Sequence, residues 1–224
     1  FGIRASFNQT GLGDKLTFSS SAVVNINDAN LLGGGQFGIV TDWNPTAPIF
    51  APFNTSEEGV LYNEGRYGYY QPENGYNPFS EYANRFNQRK QLTFSGDAKL
   101  SYEITNGLIA SVFGSYQRNS WDDRYYRSTQ DYQQYNSGSP YFGTGYAYKG
   151  SHLDFTQTVE PTITYSTEIA EHSFELLGGY SYQYSATENY SMDNSGFTTD
   201  GFEDWNFGAG NAITDIDLPR PNMS

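Results

Sequence analysis

LTFSGDAKLSYEITNGLIASVFGSYQ, residues Leu92–Gln117, alternates with a period of two. Leu92, Phe94, Gly96, Ala98, Leu100, Tyr102 and Ile104 share one parity, and Thr93, Ser95, Asp97, Lys99, Ser101 and Glu103 share the other. Successive side chains of a strand point to opposite faces, so the pattern predicts a ribbon with one apolar and one polar side. Thr105-Asn106-Gly107 supplies a tight turn, because Asn and Gly tolerate the backbone angles a short hairpin loop requires. Leu108, Ala110, Val112, Gly114 and Tyr116 then resume the same period on the return. The fold class depends on what medium the apolar side meets, a protein core or the hydrocarbon of a membrane.

Two further stretches read the same way. Gly2–Thr10 pairs with Lys15–Asn27 across Gly11-Leu12-Gly13-Asp14, and Leu153–Tyr165 pairs with Ser173–Tyr184 through a short link at Glu168–His172. Pro161 removes a backbone donor inside the third hairpin, so a bulge or a shift of register is expected there. Arg4, Asp97, Lys99, Glu103, Asp154, Glu160 and Glu175 all fall on the polar parity. The turns inside hairpins are short, whereas the connections between them, Asp28–Lys90, Ser128–His152 and Ser185–Ser224, are long. Structureless loops of that length are uncommon in compact soluble domains. Short turns at one end and long loops at the other are the ordinary asymmetry of outer-membrane barrels. About ten residues at ~3.4 Å each, tilted by ~40°, project to roughly 25 Å, the height of a barrel's apolar band. The expected fold is all-β, an antiparallel transmembrane β-barrel segment of six strands in three hairpins. The alternative is a soluble, secreted β-sandwich that binds glycans.

Composition narrows the function. The chain has 224 residues, a formal net charge of −13, no cysteine and two histidines. Nucleic-acid binding needs a basic face that displaces counterions, and 12 Lys and Arg in no stripe do not make one. The absence of cysteine excludes a disulfide scaffold and a cysteine-type zinc site. Rings are abundant, with 20 Tyr, 16 Phe and 3 Trp, yet mean hydropathy is −0.65. Rings interleaved with Ser, Thr, Asn and Gly suit strands with one greasy and one wet face. No apolar run approaches the ~20 residues of a membrane helix. Phe1 opens directly into a strand pattern with no leader and no initial Met, so a mature or internal piece of a longer chain is expected.

"NPFSEYANRFNQRKQLTFSGDAKLSYEITNGLIASVFGSYQRN" (Asn77–Asn119) resembles the barrel of SusC-like (SusC/RagA) TonB-dependent transporters of the Bacteroidetes outer membrane. "HSFELLGGYSYQ" (His172–Gln183), "PTAPIFAPFNTSEEGVLY" (Pro45–Tyr62) and "GDKLTFSSSAVVNIN" extend the likeness over most of the chain. The resemblance implies a larger barrel of about 22 strands closed by an internal plug. It also implies a SusD-like surface lipoprotein as lid, oligosaccharides or peptides as substrates, and energy delivered by TonB through the plug. Residues 1–224 are then expected to be part of such a barrel in the outer membrane of a Gram-negative bacterium. The plug, the TonB box and the C-terminal aromatic strand have no counterpart in these residues. The expected mechanism is selective passage, and the chain is not expected to be an enzyme. No Gly-x-Ser-x-Gly elbow, His-Glu-x-x-His or phosphate loop is present, and Gly33-Gly34-Gly35 reads as a loop.

The remaining candidates lie in the loops. Rings pack against the C–H faces of sugars, which makes Trp43, Trp205, Tyr141 and Phe142 the candidate ligand or lid contacts. Trp121 and Tyr116 follow a strand end and read as girdle residues. Asp193, Asp200, Glu203 and Asp204, in loop 193–204, form an oxygen-rich stretch of the kind that binds Ca2+ without matching the EF-hand spacing. Arg85, Arg89 and Lys90 are candidates for lipopolysaccharide phosphates, and Asp122, Asp123, Arg124 and Arg127 for a surface charge network.

Overall fold

The computed structural model describes residues 1–31, 36–50, 77–129, 131, 144–210, 212–217 and 222–223. Its strands are β1 (Gly2–Gly11), β2 (Leu16–Asn30), β3 (Arg85–Thr105), β4 (Leu108–Arg127), β5 (Gly145–Ile169), β6 (His172–Gly179), β7 (Tyr182–Phe197), β8 (Ala212–Asp217) and β9 (Asn222–Met223). Two short helices, α1 (Gln36–Asp42) and α2 (Pro78–Asn84), lie between β2 and β3. All nine strands belong to one antiparallel sheet, ordered β1-β2-β3-β4-β5-β7-β8, with β6 also on β5 and β9 on β7.

The three expected hairpins are present. Pairing runs Ile3↔Val24, Val24↔Phe94, Leu100↔Val112 and Val112↔Pro161, so the apolar parities of successive strands fall on one face. Gly107 takes φ +78° in the second turn, and a Cβ there would lie 2.1 Å from the Ser166 carbonyl oxygen of the neighbouring hairpin. Only glycine fits that turn without strain.

Pro161 produces neither a bulge nor a slip. Thr162 faces Gly179 and Val159 faces Tyr182 in unbroken register. The carbonyl of Pro161 accepts a bond from the Tyr180 N–H, so its missing N–H points toward the same neighbour. The ladder lapses at that point, and the lapse divides one long returning strand into β6 and β7.

The apolar face is bare. No second sheet covers it among the described residues, and Leu100 stays 46% exposed, Val112 49% and Leu176 69%. A sandwich buries such residues between two layers, so this architecture is not a sandwich. The buried apolar cluster lies instead at the far ends of the strands, where Tyr126, Ala147 and Phe197 pack with Phe86 and Phe207.

The sheet is also staggered. The row Leu16, Tyr102, Ala110, Ile163 meets β2 at its first residue, β3 three residues before its end and β5 six residues before its end. A drop of about six residues, ~20 Å, over the roughly four ~4.8 Å spacings between the centres of the first and third hairpins corresponds to a tilt of about 45°.

The strands run well past their expected limits. Asp28–Asn30, Arg85–Gln91, Arg118–Arg127, Gly145–His152 and Ser185–Phe197 are paired strand, not loop. Backbone pairing continues there although the alternation of polarity stops, and the connections shorten accordingly. The α-helices were not foreseen. α2 starts where Asn77 caps the amides of Phe79 and Ser80 just ahead of Pro78, the expected chemistry of a helix start.

Candidate functional site

The polar face of β3, β4, β5 and β7 carries the densest constellation of chemistry. Register sets its rows: Arg89, Asp123, Gly150 and Ser191 in one, Gln91, Trp121, His152 and Asn189 in the next, and Thr93, Asn119, Asp154 and Thr187 below. Arg89 grips Asp123 through a two-pronged pair at 2.6 and 2.8 Å. The amide of Gln91 and the hydroxyl of Thr93 both donate to the Asn119 side-chain oxygen, at 2.7 and 3.0 Å. Asp154 accepts the Thr187 hydroxyl at 2.7 Å and lies 2.6 Å from Nε2 of His152.

Trp121 stands at the centre. Its ring stacks on His152 at 3.7 Å between centroids, and the Arg89 guanidinium lies 5.1 Å over it. β3 flanks β4 on one side and β5 on the other, so the two neighbours cover both faces of the indole. Trp121 is therefore not the outward girdle residue expected of it. Tyr148 lies over Gly150, where a Cβ would come within 2.6 Å of its hydroxyl. Glycine at 150 leaves room for that ring and opens a hollow of about 290 Å³ walled by Trp121, Asp123, Tyr148, His152 and Asn189. The side chains of Asn189 and Ser191 have no hydrogen-bond partner among the described residues, so the hollow offers an amide and a hydroxyl to a polar ligand. It does not offer a free indole face for stacking.

A second cluster pins the loops at the same end of the strands. Arg124 makes two 2.6 Å bonds to the buried carboxylate of Asp204, with Lys149 at 3.5 Å. Trp205 rests over Arg124 at 4.1 Å and remains 74% exposed. Asp200 accepts from the Tyr126 hydroxyl at 2.8 Å and from the Thr129 amide and hydroxyl at 2.7 Å each. Burial alone would raise the pKa of the Asp204 carboxyl, but the bonds from Arg124 and the charge of Lys149 outweigh it and hold it below the ordinary value. Arg85 binds Asp131 at 2.6 and 3.0 Å and Glu81 at 2.8 Å.

These placements revise the reading of the loop residues. Arg85 and Arg89 are engaged with carboxylates on the polar face, while Lys90 lies on the other parity, so the three do not form one phosphate site. Asp123 and Arg124 belong to different ion pairs on opposite faces and do not make a single network. Asp200 and Asp204 of the calcium candidate hold Tyr126, Thr129, Arg124 and Lys149. No group of three or more His, Cys, Asp or Glu suited to a metal occurs among the described residues. Trp43 follows α1 and is half-buried, Trp205 lies on the loop after β7, and Tyr141 and Phe142 lie outside the described residues. The Trp121 to Asp154 cluster was missed because its strands lack a polarity alternation. The signal available was the odd parity shared by Arg89, Gln91, Thr93, Asn119, Trp121 and Asp123.

No protein-family model matches the chain, and no curated protein does. Solved structures do share its fold. A structure of the RagAB peptide transporter superposes with a TM-score of 0.66 at 16% identity, over 100% of this chain and 24% of that one. Structures of the RagAB peptide importer in its "closed-closed" and "open-open" states each give 0.65 at 15% identity over the same shares. The chain thus spans about a quarter of the length of the transporter chains it matches, and the likeness is one of fold. The class so defined is an all-β chain of one antiparallel sheet that shares the fold of about a quarter of the RagAB chains.

Proposed function

We propose that this chain is part of the barrel wall of an outer-membrane, TonB-dependent importer of the SusC-like kind. In this reading it takes up oligosaccharides or peptides with a SusD-like surface lipoprotein, and the plug that TonB pulls belongs to other parts of the protein. The observation that carries the reading is the bare apolar face. Phe94, Tyr116, Phe155 and Tyr184 touch in sequence across four strands, with centroids 5.8–6.4 Å apart. A second set, Phe7, Phe18, Tyr102, Tyr165 and Phe174, lies nearer the short turns on the same face. Phe94 and Tyr102 are eight residues apart on β3, which is ~20 Å of height at ~3.4 Å per residue and that tilt, close to the ~25 Å between the aromatic girdles of a barrel.

The fold likeness to the RagAB structures points the same way. β1 ends the strand order, and an open edge in lipid leaves backbone groups unpaired, so the reading requires neighbouring strands from the rest of a barrel. The polar face then lines the interior, and the hollow beside Trp121 meets substrate passing from the loop end. The mechanism is passage and selection through hydrogen bonds, with no bond chemistry.

Uptake of labelled peptides and oligosaccharides by cells with and without the complete protein tests this. Import should vanish on deletion and on collapse of the proton gradient. A detergent-free, monodisperse protein that unfolds cooperatively in water would overturn the reading.

A further inference from the structure

We infer that the apolar face holds a specific lipid of the outer leaflet, its acyl chain in a trough of small residues and its phosphate on Arg118. The inference rests on the membrane reading above and adds a site to it.

Two independent features place this lipid. Between the two sets of rings, Ala22, Gly96, Ala98 and Gly114 replace large side chains with small ones. Together with Val159, and with Phe7, Phe94 and Tyr116 at the ends, they form a shallow trough of about 640 Å³. Elsewhere on this face Leu100, Val112 and Ile163 stand proud. Ser20 and Gln157 also reach it, but most of its lining is apolar, which suits hydrocarbon.

Arg118 is the second feature. It is the charge closest to the apolar band on this parity, because Lys90, Asp122, Arg124, Lys149 and Glu188 share the parity only further toward the loop end. It pairs in register with Phe94 on one side and Phe155 on the other, so it projects from the apolar face at the level of the upper rings. The guanidinium is exposed and has no ion-pair or hydrogen-bond partner among the described residues. Arg124, six residues further along, has Asp204, and Arg89 has Asp123.

The two features are matched in height. Gly114 lies four residues below Arg118 on β4, which is ~10 Å toward the membrane centre at the strand's tilt and within the ~15 Å of one leaflet's hydrocarbon. A planar guanidinium prefers an oxygen anion that accepts two parallel bonds, and a phosphate supplies it. The occupant is lipid A, whose phosphates supply that chemistry in the outer leaflet, and retention of an anionic phospholipid in its place would overturn the assignment.

Native mass spectrometry of the complete barrel, released from mild detergent after incubation with lipid A, its monophosphoryl form, an anionic phospholipid or a neutral phospholipid, tests the site. The native protein should retain one lipid A and release the neutral phospholipid. Arg118→Gln should weaken retention about tenfold, the scale of one lost charge-assisted bond. Gly114→Leu should abolish it by filling the trough. A Cβ at Gly114 meets nothing closer than the Thr158 carbonyl oxygen at 3.9 Å, so the backbone there has room for a side chain. Retention unchanged in Arg118→Gln, or a second protein copy seated on the face in place of lipid, overturns the inference. Leu100→Trp, outside the trough, separates the two readings through quenching by brominated lipids. If quenching occurs but retention does not depend on Arg118, only the lipid site fails. If quenching is absent, the membrane reading fails with it.

Discussion

The same strands behave differently along their length. Near the short turns, β3 and β4 alternate polarity strictly, make few side-chain bonds and bury almost nothing. Toward the loop end they carry forked ion pairs, buried carboxylates and the one buried apolar cluster among the described residues, Tyr126 with Ala147 and Phe197. A strand whose greasy side is solvated by hydrocarbon has no need of a second layer. Where it emerges into water, loops must supply that layer. The loop after β7 does so through Asp204 on Arg124 and Phe207 against the cluster. The contrast therefore marks a change of medium partway along a strand.

The largest effect that would break this contrast lies at the loop end. Asp204→Ala leaves Arg124 and Lys149 facing an empty pocket, and breaking a buried pair typically costs about 3–5 kcal/mol, with the lower end expected because both cations keep some exposure. Hydrogen exchange should show the amides of Trp205 and Ala209 losing protection while those of Leu100 and Val112 keep theirs. Loss of protection throughout the sheet would mean that the two regions are one cooperative unit.

A charge placed in the band comes next. Leu100→Arg should lower barrel stability by about 2–4 kcal/mol, the cost of Arg facing lipid at mid-membrane, while Ser101→Arg on the polar face should change it by less than about 0.5 kcal/mol. Equal effects of the two neighbours in a lipid-vesicle unfolding titration would erase the distinction between faces. Gly107→Ala follows at about 1–3 kcal/mol, since positive φ and the Ser166 carbonyl both oppose a side chain. The readout is the denaturant midpoint of refolding into vesicles, and no change there would mean the hairpins are not held at the observed distance.

How much was legible in the sequence follows the same division. Where lipid-type solvation separates the faces, parity alone gives strand, partner and orientation, as for Leu92–Gln117. Above that level both faces are polar or aromatic, so the period of two disappears although the backbone ladder continues. Arg85–Gln91 and Gly145–His152 therefore read as loop. Arg89, Asp123, Trp121 and His152 meet only through register across β3, β4 and β5. That register follows from the turn at Gly107 and the stagger of the third hairpin, neither of which a local reading supplies. Pro161 shows the converse, because a residue expected to disturb register only interrupts the ladder on the side its nitrogen faces.

The smallest effect sharpens the contrast by pH. Asp204 has a pKa below the ordinary carboxylate value, so it binds fewer protons in the folded loop than in the detached one. Its stabilisation is complete above the unfolded carboxylate pKa of ~3.9 and fades as pH falls through the lower folded value, while Arg124 and Lys149 stay charged throughout. Protection of the loop after β7 should thus be level from about pH 7 to 5 and decline below about pH 4. The apolar parity of β3 from Phe94 to Leu100 carries only Phe94, Gly96, Ala98 and Leu100, so a tryptophan reporter at Leu100 should stay constant over the same range. Asp204→Asn separates this carboxylate from other acids, since it should lower loop protection at neutral pH and remove most of the acid dependence. A loop that weakens equally with acid in Asp204→Asn would assign the effect to another group and leave Arg124 held chiefly by the rings of Trp205 and Phe86.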